Sequence, residues 1–325
     1  MFPKRKNKFS VVKIKRAFLF VLGMIFFLFP SQNWYATVQA NHLSPQVQEL
    51  DFPFLTVNSY PVNFTQTPPP ALTARSVAVV DRDSAVLIYG RNEKLQILPA
   101  STVKMMTALV AVEHYHLNEV LRVGKLDKNG QEIKLLEGEK MTVENLLYGL
   151  LVASANDAAL VLAQNYPGGE LAFVKAMNEK AKELNLNSTY FANPTGLDSN
   201  QEGEMFKDFS YTSALDLARL ASFFLQNEFL LKIVSTPEIT ITDIDGKISH
   251  HLENINQLIG RFSGMKGIKT GWTEEAGECL VGYTERDGHG LITVVMGSQD
   301  RFGETVKLTD WVFSNFQWQK ITPSI

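Results

Sequence analysis

Pro99-Ala100-Ser101-Thr102-Val103-Lys104-Met105-Met106-Thr107-Ala108-Leu109-Val110 reads as the opening turns of a buried helix started by a proline and running to about Tyr115. Residues three apart on a helix share a face, so Ser101 and Lys104 are expected side by side at its start. A hydroxyl beside an amine is a candidate nucleophile and base, and a helix N-terminus favours developing negative charge. Alone, the pattern is weak. Ser-x-x-Lys occurs three times, at Ser10–Lys13, Ser101–Lys104 and Ser263–Lys266, and only the second opens an apolar helix. A serine at a helix start is as readily a cap, and a lysine there a surface residue.

The flanking elements set the fold class. Ser76–Val80 and Ala85–Tyr89 are apolar runs around Asp81-Arg82-Asp83-Ser84, a hairpin signal. After the Ser101 helix, residues 121–134 read as loop with short strands, and apolar helices follow at Leu146–Val152 and Asp157–Asn165. Phe173, Met177 and Ala181 give Glu170–Leu184 a helical period, Asn193–Leu197 is a turn, and Thr212 is a candidate N-cap for a helix to Gln226. From Ile239 the period becomes alternating. Val281–Glu285 and Leu291–Val295 flank the turn Arg286–Gly290, and a last helix runs from about Glu304 to Asn315. Strands at both ends with helices between predict an α/β (α+β) layered domain, a mainly antiparallel sheet flanked by helices with a helical insertion.

The chain has 325 residues, 45% hydrophobic and 20% charged, ordinary for a globular protein. Its net charge of −3 hides an asymmetry. Seven of the 31 Lys and Arg fall in residues 1–16, and the remaining 24 face all 34 Asp and Glu, a net charge of −10. An acidic body excludes nonspecific nucleic-acid binding, so no nucleic-acid partner is expected. The basic start, the apolar run Ala17–Phe29, Pro30 and the small-x-Ala signal Val38-Gln39-Ala40 make residues 1–40 a signal peptide cleaved after Ala40, or else an N-terminal membrane anchor. The apolar run is shorter than the roughly 20 residues of a spanning helix, which favours cleavage. Residues 41–70 end in Pro68-Pro69-Pro70 and read as a Pro-rich linker or wrapping extension, with the catalytic domain at 71–325. The single cysteine, Cys279, permits no intrachain disulfide and reads as a small buried apolar residue. His114, His116, His250 and His251 lack acidic or cysteine partners at metal spacing, so no metal or cofactor is expected.

Two further motifs change the weight of Ser101 and Lys104. Ser154-Ala155-Asn156 separates two apolar helices and alone reads as a cap; Ser-x-Asn also occurs at Ser31–Asn33. Lys269-Thr270-Gly271 is the chain's only Lys-Thr-Gly and alone reads as an edge-strand lysine beside a glycine bulge. In this order the three form the signature of penicillin-interacting serine acyl-enzymes. Pro99–Thr107, Ser154–Ala158, Met177–Ala181, Phe191–Leu197 and Gly267–Thr273 with Ala276-Gly277 narrow it. Over about residues 71–318 the chain resembles the low-molecular-weight D-alanyl-D-alanine carboxypeptidases.

That resemblance implies the β-lactamase/transpeptidase-like fold and an exported enzyme acting on peptidoglycan pentapeptides, with β-lactams as covalent inhibitors. Ser101 would be the nucleophile and Lys104 its base, its pKa lowered both by burial on the helix and by a neighbouring cation, Lys269. Ser154 would relay a proton, and Asn156 would contact Lys104 and the substrate amide. Thr270 and Gly271 would bind substrate, the N–H groups of Ser101 and Trp272 would form the oxyanion hole, and Arg301 would assist carboxylate recognition. Two departures stand out. No room follows Trp318 for the β-rich second domain and amphipathic anchor of many members, and Ala155 replaces a common glycine. Three alternatives remain: a D,D-endopeptidase or weak transpeptidase, a class A-like β-lactamase, and a non-catalytic peptidoglycan-binding protein. Glu170-Leu171-Ala172-Phe173-Val174 does not match the Glu-x-x-Leu-Asn of class A β-lactamases, and rapid acylation by penicillin with slow release is expected.

Overall fold

Every residue of Ser76–Asp81 is buried, because both faces of that strand are covered. Side chains alternate across a strand, so Ala78 and Val80 face one core while Val77 and Val79 face another. A strand buried on two sides reads as an unbroken apolar run.

The computed structural model describes residues 59–126, 129–198 and 209–320. Its strands are β1 (Ser59–Asn63), β2 (Ser76–Asp81), β3 (Leu87–Arg91), β4 (Val120–Arg122), β5 (Lys140–Thr142), β6 (Glu238–Thr242), β7 (Ser249–Glu253), β8 (Met265–Thr273), β9 (Gly277–Arg286), β10 (His289–Ser298) and β11 (Phe316–Lys320). A 3-10 turn, Ala100–Val103, leads into helix α1 (Lys104–His114). Helices α2 (Val143–Leu151), α3 (Asn156–Gln164), α4 (Gly169–Glu183), α5 (Ala214–Phe224), α6 (Glu228–Val234) and α7 (Arg301–Asn315) follow. Among the described residues no helix is long and apolar enough to cross a membrane.

The main sheet has the order β3-β2-β10-β9-β8, every neighbour antiparallel. Its strands come from the two ends of the domain, and α1–α6 lie between them in sequence, as the alternation of patterns predicts. The larger core joins one sheet face, through Ile292, Val294, Val281 and Ile268, to Met105, Leu147, Leu162 and Leu217 of the insertion. The smaller core sets Val77, Val79, Leu291 and Val295 against Leu308 and Val312 of α7. β8 is the edge strand, and its neighbour in space is the 3-10 turn that carries Ser101.

Several elements differ from the sequence reading. Ser59–Asn63, inside the stretch read as a linker, is a strand paired with β11, Ser59 opposite Lys320. Its partner lies at the far end of the chain, and Pro61 and the lack of alternation hide the pairing from local pattern. The N-cap of α5 is Ser213 rather than Thr212: the Ser213 side chain accepts from Asp216 N. The last helix starts at Arg301, capped by Asp300, three residues earlier than expected. The signal-peptide or anchor reading of residues 1–40 lies outside the described residues.

Candidate active site

The three motifs converge where the helical insertion meets the edge of the sheet. Lys104, in the first turn of α1, is fully buried, and its Nζ donates to Ser101 Oγ at 2.9 Å, Asn156 Oδ1 at 2.6 Å and Thr195 O at 2.7 Å. Burial lowers the Lys104 pKa from 10.5 to about 7, opposed by the charge of Asp157. Of the two expected causes, burial on the helix and a neighbouring cation, burial is the dominant one: taking the ammonium out of water outweighs the nearby charge of the Asp157 carboxylate.

Lys269, on β8, is buried as well. Its Nζ donates to Ser154 Oγ at 2.8 Å and to Thr270 O at 2.9 Å. Burial, then the charges of Lys104 and Arg301, hold it well below the usual lysine range. Ser154 stands in the left-handed region, φ 59°, between α2 and α3, and is 2% exposed. That strained backbone turns its hydroxyl to the lysine of the opposite element instead of capping α3, whose N-cap is Ala155.

The approach of β8 to the nucleophile depends on glycine. A Cβ on Gly271 would lie 3.0 Å from both Pro99 O and Ser101 N. Gly196, at φ +79°, packs so closely beneath the 3-10 turn that a Cβ there would overlap the carbonyl of Ala100. The turn Asn193–Gly196 is in turn fixed from both sides. Asn193 Oδ1 accepts from Thr195 N and Gly196 N, and Thr107 Oγ1 of α1 donates to Pro194 O at 2.7 Å. The sequence marks Asn193–Leu197 as a turn but not its role, which is to aim the Thr195 carbonyl at Lys104.

The remaining candidates are grouped on β8 and α7. Thr270 Oγ1 is buried without a partner among the described residues, and so is Arg301 Nε. Arg301 Nη1 donates to Gly271 O at 3.0 Å, which places the guanidinium beside β8. Trp272, one residue on, is 61% exposed. Asn156 Oδ1 faces Lys104 while its Nδ2 donates to Asn129 O at 2.8 Å, a partner the sequence did not indicate. Cys279 is buried opposite Gly271 on β9, and burial pushes its thiol up to about 11. Among the described residues, no group of three or more His, Cys, Asp or Glu is placed to hold a metal ion.

Residues 63–300 match the family described as peptidase S11, D-alanyl-D-alanine carboxypeptidase. The chain belongs to that family. It is 35% identical over 254 residues to the D-alanyl-D-alanine carboxypeptidase DacF of Bacillus subtilis, covering 75% of this chain and 63% of that protein. It thus spans somewhat less than two thirds of that relative. A D-alanyl-D-alanine endopeptidase of Pseudomonas aeruginosa is 33% identical over 249 residues, 74% of this chain and 77% of that protein. Among solved structures, the Streptomyces K15 DD-transpeptidase superposes with a TM-score of 0.70 at 27% identity, over 76% of this chain and all of that one. A D-alanyl-D-alanine carboxypeptidase of Mycobacterium tuberculosis gives 0.71 at 29% identity, over 78% and 95%. The peptidase S11 membership and the transpeptidase-type fold agree with the layered antiparallel domain read from the sequence.

Proposed function

We propose that this chain is a serine D-alanyl-D-alanine carboxypeptidase that trims peptidoglycan stem peptides through an acyl-enzyme on Ser101. One observation carries the reading: a fully buried lysine amine, its pKa lowered to about 7, lies 2.9 Å from the Ser101 hydroxyl. At neutral pH such an amine is partly unprotonated and accepts the serine proton. Ser101 Oγ attacks the carbonyl carbon between the two terminal D-alanines. The peptide C–N bond breaks, Ser154 relays a proton to the departing nitrogen, and free D-alanine leaves. Water then hydrolyses the ester and regenerates Ser101.

Other residues act on the bound substrate. Asn156 orients Lys104 and contacts the substrate amide. Lys269 holds the Ser154 hydroxyl. The unpartnered Thr270 Oγ1 and Arg301 Nε are the two buried donors suited to the terminal carboxylate. Gly271 leaves open the space next to Ser101 N, where that N–H and the one of Trp272 receive the developing oxyanion.

Residues 1–40 are read as an export signal, which sets the enzyme in the cell-wall space outside the cytoplasm, with membrane attachment only if that segment is retained. The same acyl-enzyme chemistry serves a D,D-endopeptidase, the name borne by the Pseudomonas aeruginosa and Escherichia coli relatives. Incubation with a linear pentapeptide and with a cross-linked dimer separates the two. Release of D-alanine from the pentapeptide is expected, and cleavage of the dimer alone would make endopeptidase the primary activity. Intact-mass spectrometry with penicillin is expected to show one penicilloyl group lost on Ser101→Ala, and it should persist because Glu183, the glutamate of the chain's Glu-x-x-Leu-Asn, is exposed and paired with Lys180 rather than turned to the site. Rapid turnover of penicillin would overturn the carboxypeptidase reading in favour of a β-lactamase.

A further inference from the structure

We propose that His250 and Glu139, outside the three motifs, are positioning residues that hold Asn156, and through it Lys104, in register for acyl transfer; this rests on the carboxypeptidase reading above. The two side chains come from separate elements. His250 lies on β7, and Glu139 immediately precedes β5. Both are buried, with His250 8% and Glu139 5% exposed.

Each polar atom of the pair has a partner. His250 Nε2 meets Glu139 Oε1 at 2.7 Å, and Nδ1 meets Ile133 O at 2.9 Å. The other Glu139 oxygen accepts from Leu136 N at 2.8 Å. Nδ1 has only a carbonyl to face, so it carries a proton, and a second proton is shared between Nε2 and the carboxyl. The pair therefore clamps Ile133 and Leu136 from two sides. The β6–β7 hairpin that supplies His250 is itself docked: Ile244 N donates to Lys140 O at 3.0 Å, and Asn145 Nδ2 to Thr242 O at 2.8 Å.

The clamped segment is the one that grips Asn156. Gln131 O accepts from Asn156 N at 2.7 Å, and Asn129 O accepts from Asn156 Nδ2 at 2.8 Å. The carboxylate of Asp157, the next residue, takes Ile133 N and Leu135 N. Gly130, at φ +73°, lets the segment lie flat on the amide, since a Cβ there would come within 2.7 Å of Asn156 Nδ2. Asn129 O decides which way round the amide sits, because a carbonyl attracts the NH2 end and leaves Oδ1 for Lys104 Nζ. A loosened segment frees the amide to tilt or flip, and a flipped amide presents two N–H donors to the lysine. The pair touches no substrate, so its effect is expected on the rate of acyl transfer more than on substrate binding.

The test measures D-alanine release from a pentapeptide for His250→Ala, Glu139→Ala, Glu139→Gln and Val79→Ala. Rates are expressed per site titrated by prolonged incubation with penicillin, so that unfolded protein is not counted. Glu139→Gln keeps the clamp: the amide nitrogen it introduces donates to His250 Nε2, Nδ1–H still donates to Ile133 O, and the amide oxygen still accepts from Leu136 N. His250→Ala and Glu139→Ala are expected to lower kcat by about tenfold or more, with KM changed less than about twofold. Glu139→Gln is expected within about twofold of wild type, and so is Val79→Ala, a cavity in the smaller core on the opposite face of the sheet. Wild-type kcat per titrated site in both alanine variants overturns the proposal, as does an equal loss in Glu139→Gln and Glu139→Ala. Should His250→Ala yield no folded protein, the comparison of the two Glu139 variants decides. A wild-type enzyme that releases no D-alanine overturns the carboxypeptidase reading instead, and the penicillin acylation rates of the same variants then judge the clamp.

Discussion

Lowering the pH through 7 is expected to switch off acylation, because Lys104 then gains the proton that its burial discourages. The side chain is fully buried, and its pKa falls from 10.5 to about 7. At pH 7 about half the molecules hold a neutral amine, whereas a lysine left at 10.5 would be neutral in only about one in 3,000. The population of competent base rises ~10³-fold, equivalent to about 4 kcal/mol, less whatever is lost because a weaker base pulls less strongly on the serine proton. The assay is the second-order rate of acylation by a fluorescent penicillin from pH 5 to 9. It should fall about tenfold per pH unit below 7 and level off above it. A profile flat across that range, or one that breaks only above pH 9, refutes the argument. Stability gives an independent reading. The unfolded chain keeps a proton on Lys104 up to about 10.5, the folded chain only up to about 7, so unfolding takes up a proton between those values. Stability therefore rises with pH across that window, by ~5 kcal/mol from this residue. Lys269 shifts in the same direction. Lys104→Met removes the ionisation, so its thermal midpoint should rise less between pH 7 and 10 than that of the wild type.

Gly271→Ala puts a methyl 3.0 Å from Pro99 O and Ser101 N, which forces β8 away from the nucleophile. Acylation should fall by about 10² or more with the fold intact by circular dichroism. Arg301→Ala should raise KM for a D-Ala-D-Ala peptide by about 10- to 100-fold, through loss of a charge-assisted contact to the carboxylate. A peptide whose terminal carboxylate is amidated should be far less sensitive to the change, and equal losses with both substrates would show that Arg301 serves only its bond to Gly271 O.

What the sequence reveals is what is local or carried by a pattern. The three motifs, the hairpin of β9 and β10 and the apolar runs of β2 and β3 are visible because each is a contiguous stretch with its own period. β1 is invisible because its five residues contain Pro61 and pair with a strand at the other end of the chain. β7 reads Ser-His-His-Leu-Glu, only two of whose residues are buried, so no apolar run marks it. At the site, backbone carbonyls are the missing part. Thr195 O and Asn129 O complete the shells of Lys104 and Asn156, and a carbonyl is present at every residue, so no letter announces it. His250 reads as lacking an acidic partner because Glu139 lies 111 residues away.

The two buried lysines raise a question that the motifs alone leave open. Read from sequence, burial and a cation at Lys269 both depress Lys104. Burial is the largest cause for both lysines, and it holds Lys269 well below the usual lysine range. An interaction between two charges is reciprocal, so a cationic Lys269 would lower Lys104 just as Lys104 lowers it, whereas a neutral Lys269 would act only as a hydrogen-bonding amine, donating to Ser154 Oγ and Thr270 O. Lys269→Met decides between the two pictures. Losing the Ser154 contact should lower acylation at every pH. If Lys269 is neutral, the inflection of the pH profile should stay near 7. If it were a cation pressing on Lys104, its removal would let the Lys104 pKa rise and carry the inflection upward, and a shift of a full pH unit would reinstate the electrostatic role.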